Sequence, residues 1–187
     1  MLIGFPQLLD KVNEHIDRLD YAREPMNLYE PVKYILALGG KRIRPVMMLM
    51  AYNMYRDDVD KILDPALALE IYHNFTLLHD DLMDNADVRR GKPTVHKRWD
   101  ANTAILSGDV MLSLADVYMS RIDDAYFRQV MATFHQTSIE IAEGQQYDMD
   151  FETRTDVAEQ EYIEMIRLKT SVLLACALKI GAILGGA

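Results

Sequence analysis

The stretch HDDLMDNADVRRGKPTVH, residues 79–96, gathers side chains that can hold an anion through a metal. Asp80 and Asp84 are four residues apart, so a helix puts both carboxylates on one face, with Asp81 flanking them. Like charges at that spacing destabilise a helix and call for solvent or a countercharge. Mg²⁺ serves, because it takes one or two carboxylates and completes its shell with water and phosphate oxygens. The short pattern by itself fits a solvated acidic helix end equally well. Arg89 and Arg90 shift the balance, since Arg grips phosphate with parallel hydrogen bonds. The competing reading is that they only neutralise Asp84 and Asp87.

Two further basic groups lie elsewhere in the chain. In GGKRIRP, residues 39–45, Lys41, Arg42 and Arg44 follow two glycines, where backbone can approach a ligand closely. Lys169 interrupts the apolar run MIRLKTSVLLACALKI, with Thr170 after it. A buried unpaired Lys is costly, so it either snorkels to the surface or points into a cavity and meets an anion. Three separated basic groups in an acidic protein suit a substrate with two anionic groups.

The whole chain sets the limits. Its 187 residues suffice for one domain, half of them are hydrophobic, and the net charge is −9. That balance argues against nucleic-acid binding. The single cysteine, Cys176, excludes a disulfide framework and suits a reducing, cytoplasmic compartment. The first residues, MLIGFPQLLDKVNE, lack the basic and apolar regions of a signal peptide. The most apolar stretch, 171–187, is short for a bilayer span and carries Lys179, so no stable membrane insertion is expected.

The elements that must position these groups read as helices throughout. Apolar residues from Phe5 to Leu19 recur at helical spacing over 5–21. A helix over 28–38 stops at Gly39-Gly40, and Pro45 opens one over 45–55. Asp64-Pro65 forms an N-cap and first-turn pair for a helix to about 86. Residues 89–94 form a loop, 101–122 and 124–142 form two helices, and a last helix runs from a capping box at Asp156 and Glu159 to about Leu184. That helix is apolar all round after Thr170, which predicts a place in the middle of a bundle. No strand is expected.

GGKRIRP, HNFTLLHDDLMDNADVRRGKPTVH, EGQQYD (143–148) and the Lys169-Thr170 pair occur together in one order. In these motifs the chain resembles the trans-isoprenyl diphosphate synthases, the polyprenyl synthetase family, over nearly its whole length. The resemblance implies an all-α bundle around a deep central cavity, usually a homodimer. It implies Mg²⁺-dependent, head-to-tail condensation of an allylic diphosphate with isopentenyl diphosphate. It makes Asp80 and Asp84 metal ligands, with Asp81 in support. It assigns Arg89 to the allylic diphosphate, and Lys41, Arg44, Arg90 and His73 to isopentenyl diphosphate. Lys169 and Thr170 fall near the allylic diphosphate and the developing cation. Gln145 and Asp148 match a GQxxD stretch, and as plain residues read as helix-end caps. Arg42, Lys92, His96 and Trp99 read as structural or surface residues.

Phe75 lies five residues before Asp80, about 7.5 Å down a helix. In the family a large side chain there acts as a cavity floor, with Thr76 beside it, which implies a C15 to C20 product. Plain core packing is the other reading of Phe75. The resemblance also implies a second aspartate-rich motif and further C-terminal helices, and the chain stops at GAILGGA without them. A non-catalytic short form or a partner subunit of a full-length synthase is therefore the alternative. A terpene cyclase would lack GGKRxRP and RRGKPT. A di-iron bundle needs paired Glu-x-x-His motifs, and no such pair is present.

Overall fold

The computed structural model describes residues 2–19 and 23–187. Helices account for nearly all of the regular structure: α1 (Phe5–Asp17), α2 (Met26–Ala37), α3 (Ile43–Asn53), α4 (Leu63–Met83), α5 (Val95–Arg98), α6 (Ala101–Met119), α7 (Asp124–Phe151), α8 (Glu159–Ile166) and α9 (Val172–Gly185). A 3₁₀ turn, Val59–Ile62, leads into α4, and a π-helical turn, Arg167–Ser171, joins α8 to α9.

The middle of the bundle belongs to α4, not to the last helix. Every residue from Pro65 to Tyr72 is buried, so this apolar run has no solvent face, and α6, α3 and α1 pack around it. Each buried Leu or Ile there contributes roughly 1.5–3 kcal/mol of transfer free energy. The last helix packs on α3 and α7 but leaves Leu178 and Lys179 exposed. Gly181 permits this packing: a Cβ there would stand 2.2 Å from the Met48 carbonyl oxygen of α3. The segment Glu159–Gly185 is long and apolar enough to cross a membrane, and 56% of its most apolar window is buried inside the protein.

Several expected boundaries move for local reasons. The first helix ends at Asp17, and the expected continuation through 20 and 21 falls outside the described residues. The third starts at Ile43, two residues before Pro45, with Arg42 as N-cap in the left-handed region (φ +47°). Asp64 does not cap α4. Its carboxylate accepts from His15 at 2.7 Å and from Arg121 at 3.1 Å, tying α4 to α1 and to the connection that follows α6. The last helical segment begins at Glu159, not Asp156, because Glu161 closes back on the Ala158 N–H at 2.9 Å while Asp156 pairs with Arg154.

Two differences bear on the site. The expected helix over 124–142 continues to Phe151, so Gln145 and Asp148 lie within α7 and cap nothing. The expected loop over 89–94 contains a small antiparallel hairpin, β1 (Val88–Arg89) with β2 (Lys92–Pro93). Its two connecting residues, Arg90 and Gly91, both have positive φ (51° and 75°), the combination a tight hairpin turn requires. The chain was expected to have no strand, and a turn motif of four residues is too short to leave a periodic pattern.

Candidate functional site

The C-terminal end of α4 supplies the acids. Asp80 is partly exposed, Asp81 is buried and Asp84 is the exposed C-cap residue. Burial and the nearby charge of Asp80 hold the Asp84 carboxyl above its ordinary range, as expected for crowded like charges. The hairpin then returns the chain so that Arg89 meets this end. Its Nε donates to Asp81 Oδ2 at 2.7 Å, and its Nη2 lies 3.9 Å from Asp80 Oδ2. The hydrogen bond to Asp81 keeps the guanidinium firmly charged.

Lys169 closes on the same acid from the other side. Its Nζ donates to Asp148 Oδ2 of α7 at 2.5 Å and to Asp80 Oδ1 at 3.3 Å. Burial lowers the ammonium pKa, but the Asp148 hydrogen bond and the charges of Asp80 and Asp148 outweigh it, and the net shift is upward. Lys169 reaches this position from the π-helical turn, which adds a residue to one helical turn and redirects the side chain. The turn packs hard on α7, where a Cβ on Gly144 would stand 2.4 Å from the Lys169 backbone nitrogen. Thr170 follows on the exposed side of the turn.

A second group forms where the left-handed turn after α2 faces the hairpin. Lys41, Arg42, Arg44, His73 and Arg90, with Glu70, line a pocket of about 400 Å³. Adjacent in sequence, Arg89 and Arg90 separate here: Arg89 turns to the acids, while Arg90 reaches this pocket and donates to the Gly39 carbonyl. Burial, and then the surrounding charges of Arg44, Arg90, Arg89 and Arg42, push the His73 pKa down to about 3. His73 is thus a neutral hydrogen-bonding group in a cationic wall. Arg42 is buried and bonds Glu70, as its structural reading required.

A cleft of about 140 Å³ joins the two groups. It shares Arg44 and His73 with the cationic pocket, and Asp80, Lys169 and Thr170 open onto it. Gln145 and Thr76 line this cleft and also an apolar pocket of about 240 Å³. The apolar pocket runs beside α4 past Phe75, His79 and Tyr72. Phe75 stands edge-to-face between His79 (4.8 Å between ring centroids) and Tyr72 (5.5 Å), and Tyr72 rests on Phe134 at 5.3 Å.

Among the described residues no three His, Cys, Asp or Glu side chains converge to hold a metal ion. The donor set is two carboxylates at the end of α4, Asp80, which lines the cleft, and the exposed Asp84 one turn on, beside the cationic side chains of Arg89 and Lys169. That set fits Mg²⁺, which draws its remaining ligands from water and phosphate. The Lys169 ammonium on Asp80 is an internal cation at the same oxygens.

The structure therefore brings Lys41, Arg44, His73, Asp80, Asp81, Asp84, Arg89, Arg90, Gln145, Asp148, Lys169 and Thr170 to one end of the bundle, with Phe75 and Thr76 along the adjoining apolar pocket. Sequence reasoning missed Glu70, Tyr72, His79 and the π-helical turn. Only Glu70 left a signal, as a lone acid in the apolar run ALALEIYHN.

Comparison with known proteins follows this geometry. Residues 25–187 match the polyprenyl synthetase family model. The chain is 46% identical over 178 residues to the geranylgeranyl diphosphate synthase of Methanosarcina mazei, covering 94% of this chain and 55% of that protein. It is 42% identical over 194 residues to the geranylfarnesyl diphosphate synthase of Natronomonas pharaonis, covering 94% and 57%. A crystal structure of a geranylgeranyl pyrophosphate synthase superposes with a TM-score of 0.95 at 50% identity, over 99% of this chain and 57% of that one. The chain thus spans little more than half the length of these relatives. On the family match, the identities and the shared fold, the chain belongs to the polyprenyl synthetase family.

Proposed function

We propose that this protein condenses an allylic diphosphate with isopentenyl diphosphate, head to tail, to give a longer prenyl diphosphate. The observation that carries this is the pairing of two phosphate-binding groups across one cleft, with Asp80, Arg89 and Lys169 on one side and Lys41, Arg44, His73 and Arg90 on the other. Asp80 and Asp84 would hold Mg²⁺, with Asp81 fixing Arg89 behind them. When bound, Mg²⁺ supplies positive charge to a departing diphosphate.

The protein's own groups do the rest. Arg89 and Lys169 bind the allylic diphosphate and stabilise the charge that develops as its C–O bond breaks. Thr170 and Gln145 lie beside the resulting allylic cation. The cationic pocket holds isopentenyl diphosphate so that its double bond lies next to that carbon and attacks it. A proton then leaves the new cation for the released pyrophosphate. The apolar pocket past Thr76 takes the growing chain, keeps water from the cation, and is narrowed by the Phe75 ring, which favours a C15 to C20 product. The Natronomonas pharaonis relative is named for a geranylfarnesyl product, one five-carbon unit longer than that range.

Residues 1–187 act in this reading as one helical unit. We further infer a homodimer, supported by the exposed Ile105, Leu106 and Val117 on α6, and a cytoplasmic enzyme without membrane insertion, supported by the burial of α9 and the lone thiol. The test is a condensation assay with isopentenyl diphosphate and each of three allylic diphosphates, with Mg²⁺ or with chelator, and product identified by mass. Mg²⁺-dependent C15 or C20 product is expected. No prenyl transfer with any allylic partner would overturn the reading.

A further inference from the structure

Glu70 is the one acidic side chain lining the cationic pocket. It is almost fully buried, at 2% exposure, in the all-buried stretch of α4. Its Oε1 accepts from Arg42 Nη1 at 2.6 Å and from Asn74 Nδ2 at 3.0 Å. Asn74 in turn donates to the Glu70 carbonyl at 2.8 Å, so the carboxylate is held from its own helix. The second terminal nitrogen of Arg42 donates to the Leu36 carbonyl at 2.7 Å. One guanidinium therefore ties the end of α2, the start of α3 and the centre of α4.

Arg42 needs that restraint. It sits at φ +47°, one residue beyond the pair Gly39 (φ +76°) and Gly40 (φ +147°), with Lys41 between. Glycine occupies such angles without strain, but a residue with a Cβ is strained there and persists only where neighbours hold it. This left-handed turn decides which way its neighbours face. Lys41 and Arg44 flank Arg42 and line the pocket, and among the described residues neither makes an ion pair. The buried Arg44 Nε has no hydrogen-bond partner. Arg42 itself is 5% exposed, with both terminal nitrogens committed to Glu70 and Leu36.

We propose that Glu70 is a positioning residue for the cationic diphosphate pocket, acting through Arg42. By accepting its hydrogen bond, Glu70 pins the left-handed turn that presents Lys41 and Arg44 to the ligand. Arg42 then serves as the anchor of the turn and not as a ligand. The proposal rests on the reading that this pocket binds isopentenyl diphosphate.

The pin is a hydrogen bond to an acceptor, so Glu70→Gln retains it and Glu70→Ala removes it. The measurement is calorimetric titration of the protein with isopentenyl diphosphate in excess chelator, where the metal side of the site is silent. Wild type and E70Q should bind alike, and E70A should bind at least about tenfold more weakly, the loss expected from one hydrogen bond to a charged group. Pyrophosphate binding in Mg²⁺ at the Asp80 side should be the same in all three, which a general loss of structure would not allow. Should E70A fail to fold, Arg42→Met with Glu70→Leu replaces the ion pair by apolar groups of similar volume, a change that buried pairs commonly tolerate. That variant should fold and still lose the binding. Binding by E70A or by the apolar variant at the wild-type level would overturn the proposal while leaving the pocket's function intact. No binding by wild type would overturn the pocket's function, and the proposal with it.

Discussion

Lys169 and Asp80 are 89 positions apart in the chain, and the lysine ammonium lies 3.3 Å from the carboxylate. The contact brings the cation of the π-helical turn onto the first acid of the α4 cluster, with Asp148 as second partner. The site thus holds its repelling carboxylates together with an internal cation. Replacing Lys169 by Met should lower the rate of condensation by about two to three orders of magnitude, the scale of a lost charge-stabilising group. Thermal stability should change by no more than about 1 kcal/mol, because the Lys169, Asp80 and Asp148 side chains stay 22–38% exposed and solvated ion pairs contribute about 0–1 kcal/mol. Steady-state turnover alongside a melting curve separates the two effects. A large fall in melting temperature would instead make Lys169 structural.

His73 predicts an acid-sensitive fold. Its pKa is depressed to about 3, from an ordinary 6.5. Between those values the unfolded chain takes up a proton at this position and the folded chain does not. Stability is therefore fully present above the unfolded pKa and is lost as the pH falls towards the folded one, by up to about 1.4 kcal/mol per pH unit. Denaturant unfolding at pH 7 and pH 4.5 should show a smaller loss in His73→Gln than in wild type. Equal losses in both would mean that His73 titrates normally.

Gly144 should not tolerate a side chain. A Cβ would meet the Lys169 nitrogen at 2.4 Å and the Leu168 carbonyl carbon at 2.8 Å, both backbone atoms that cannot swing aside. Gly144→Ala should destabilise the protein by about 1–3 kcal/mol, the usual range for overpacking. It should also move Lys169 away from Asp80 and Asp148, so activity should fall further than the loss of folded protein explains. Chemical denaturation together with specific activity tests both parts.

Phe75 should set product length. Its ring lies against Tyr72 and His79 along the apolar pocket. Phe75→Ala removes the ring between Tyr72 and His79 and so enlarges the apolar pocket at that level. The major product should gain at least one five-carbon unit, read by mass, while Phe75→Tyr should leave it unchanged. An unaltered product from the Ala variant would assign the floor to another residue.

The helices and their order were legible in the sequence because apolar spacing and chain-breaking glycines are local signals. Gly39-Gly40 stops α2, and the 3.6-residue repeat marks α1. The chemical types at the site were legible for the same reason: carboxylates four apart, guanidines after glycine, and a lysine in an apolar run each stand out within a few residues. The resemblance of those motifs to the polyprenyl synthetases was legible too, and the family match agrees with it.

What the tertiary structure decided depends on separation. Periodicity gave the last helix the central place, but neighbours decide burial, and they surround α4. The opposite destinations of Arg89 and Arg90 come from a two-residue hairpin turn. The reach of Lys169 to Asp80 comes from a π-helical turn seated on a glycine of another helix. The bond between Glu70 and Arg42 spans 28 positions. Local sequence determines what each residue can do and which helix carries it. Only packing between distant segments decides which residues meet, because the free energy of a contact appears only once the chain has closed the loop between them.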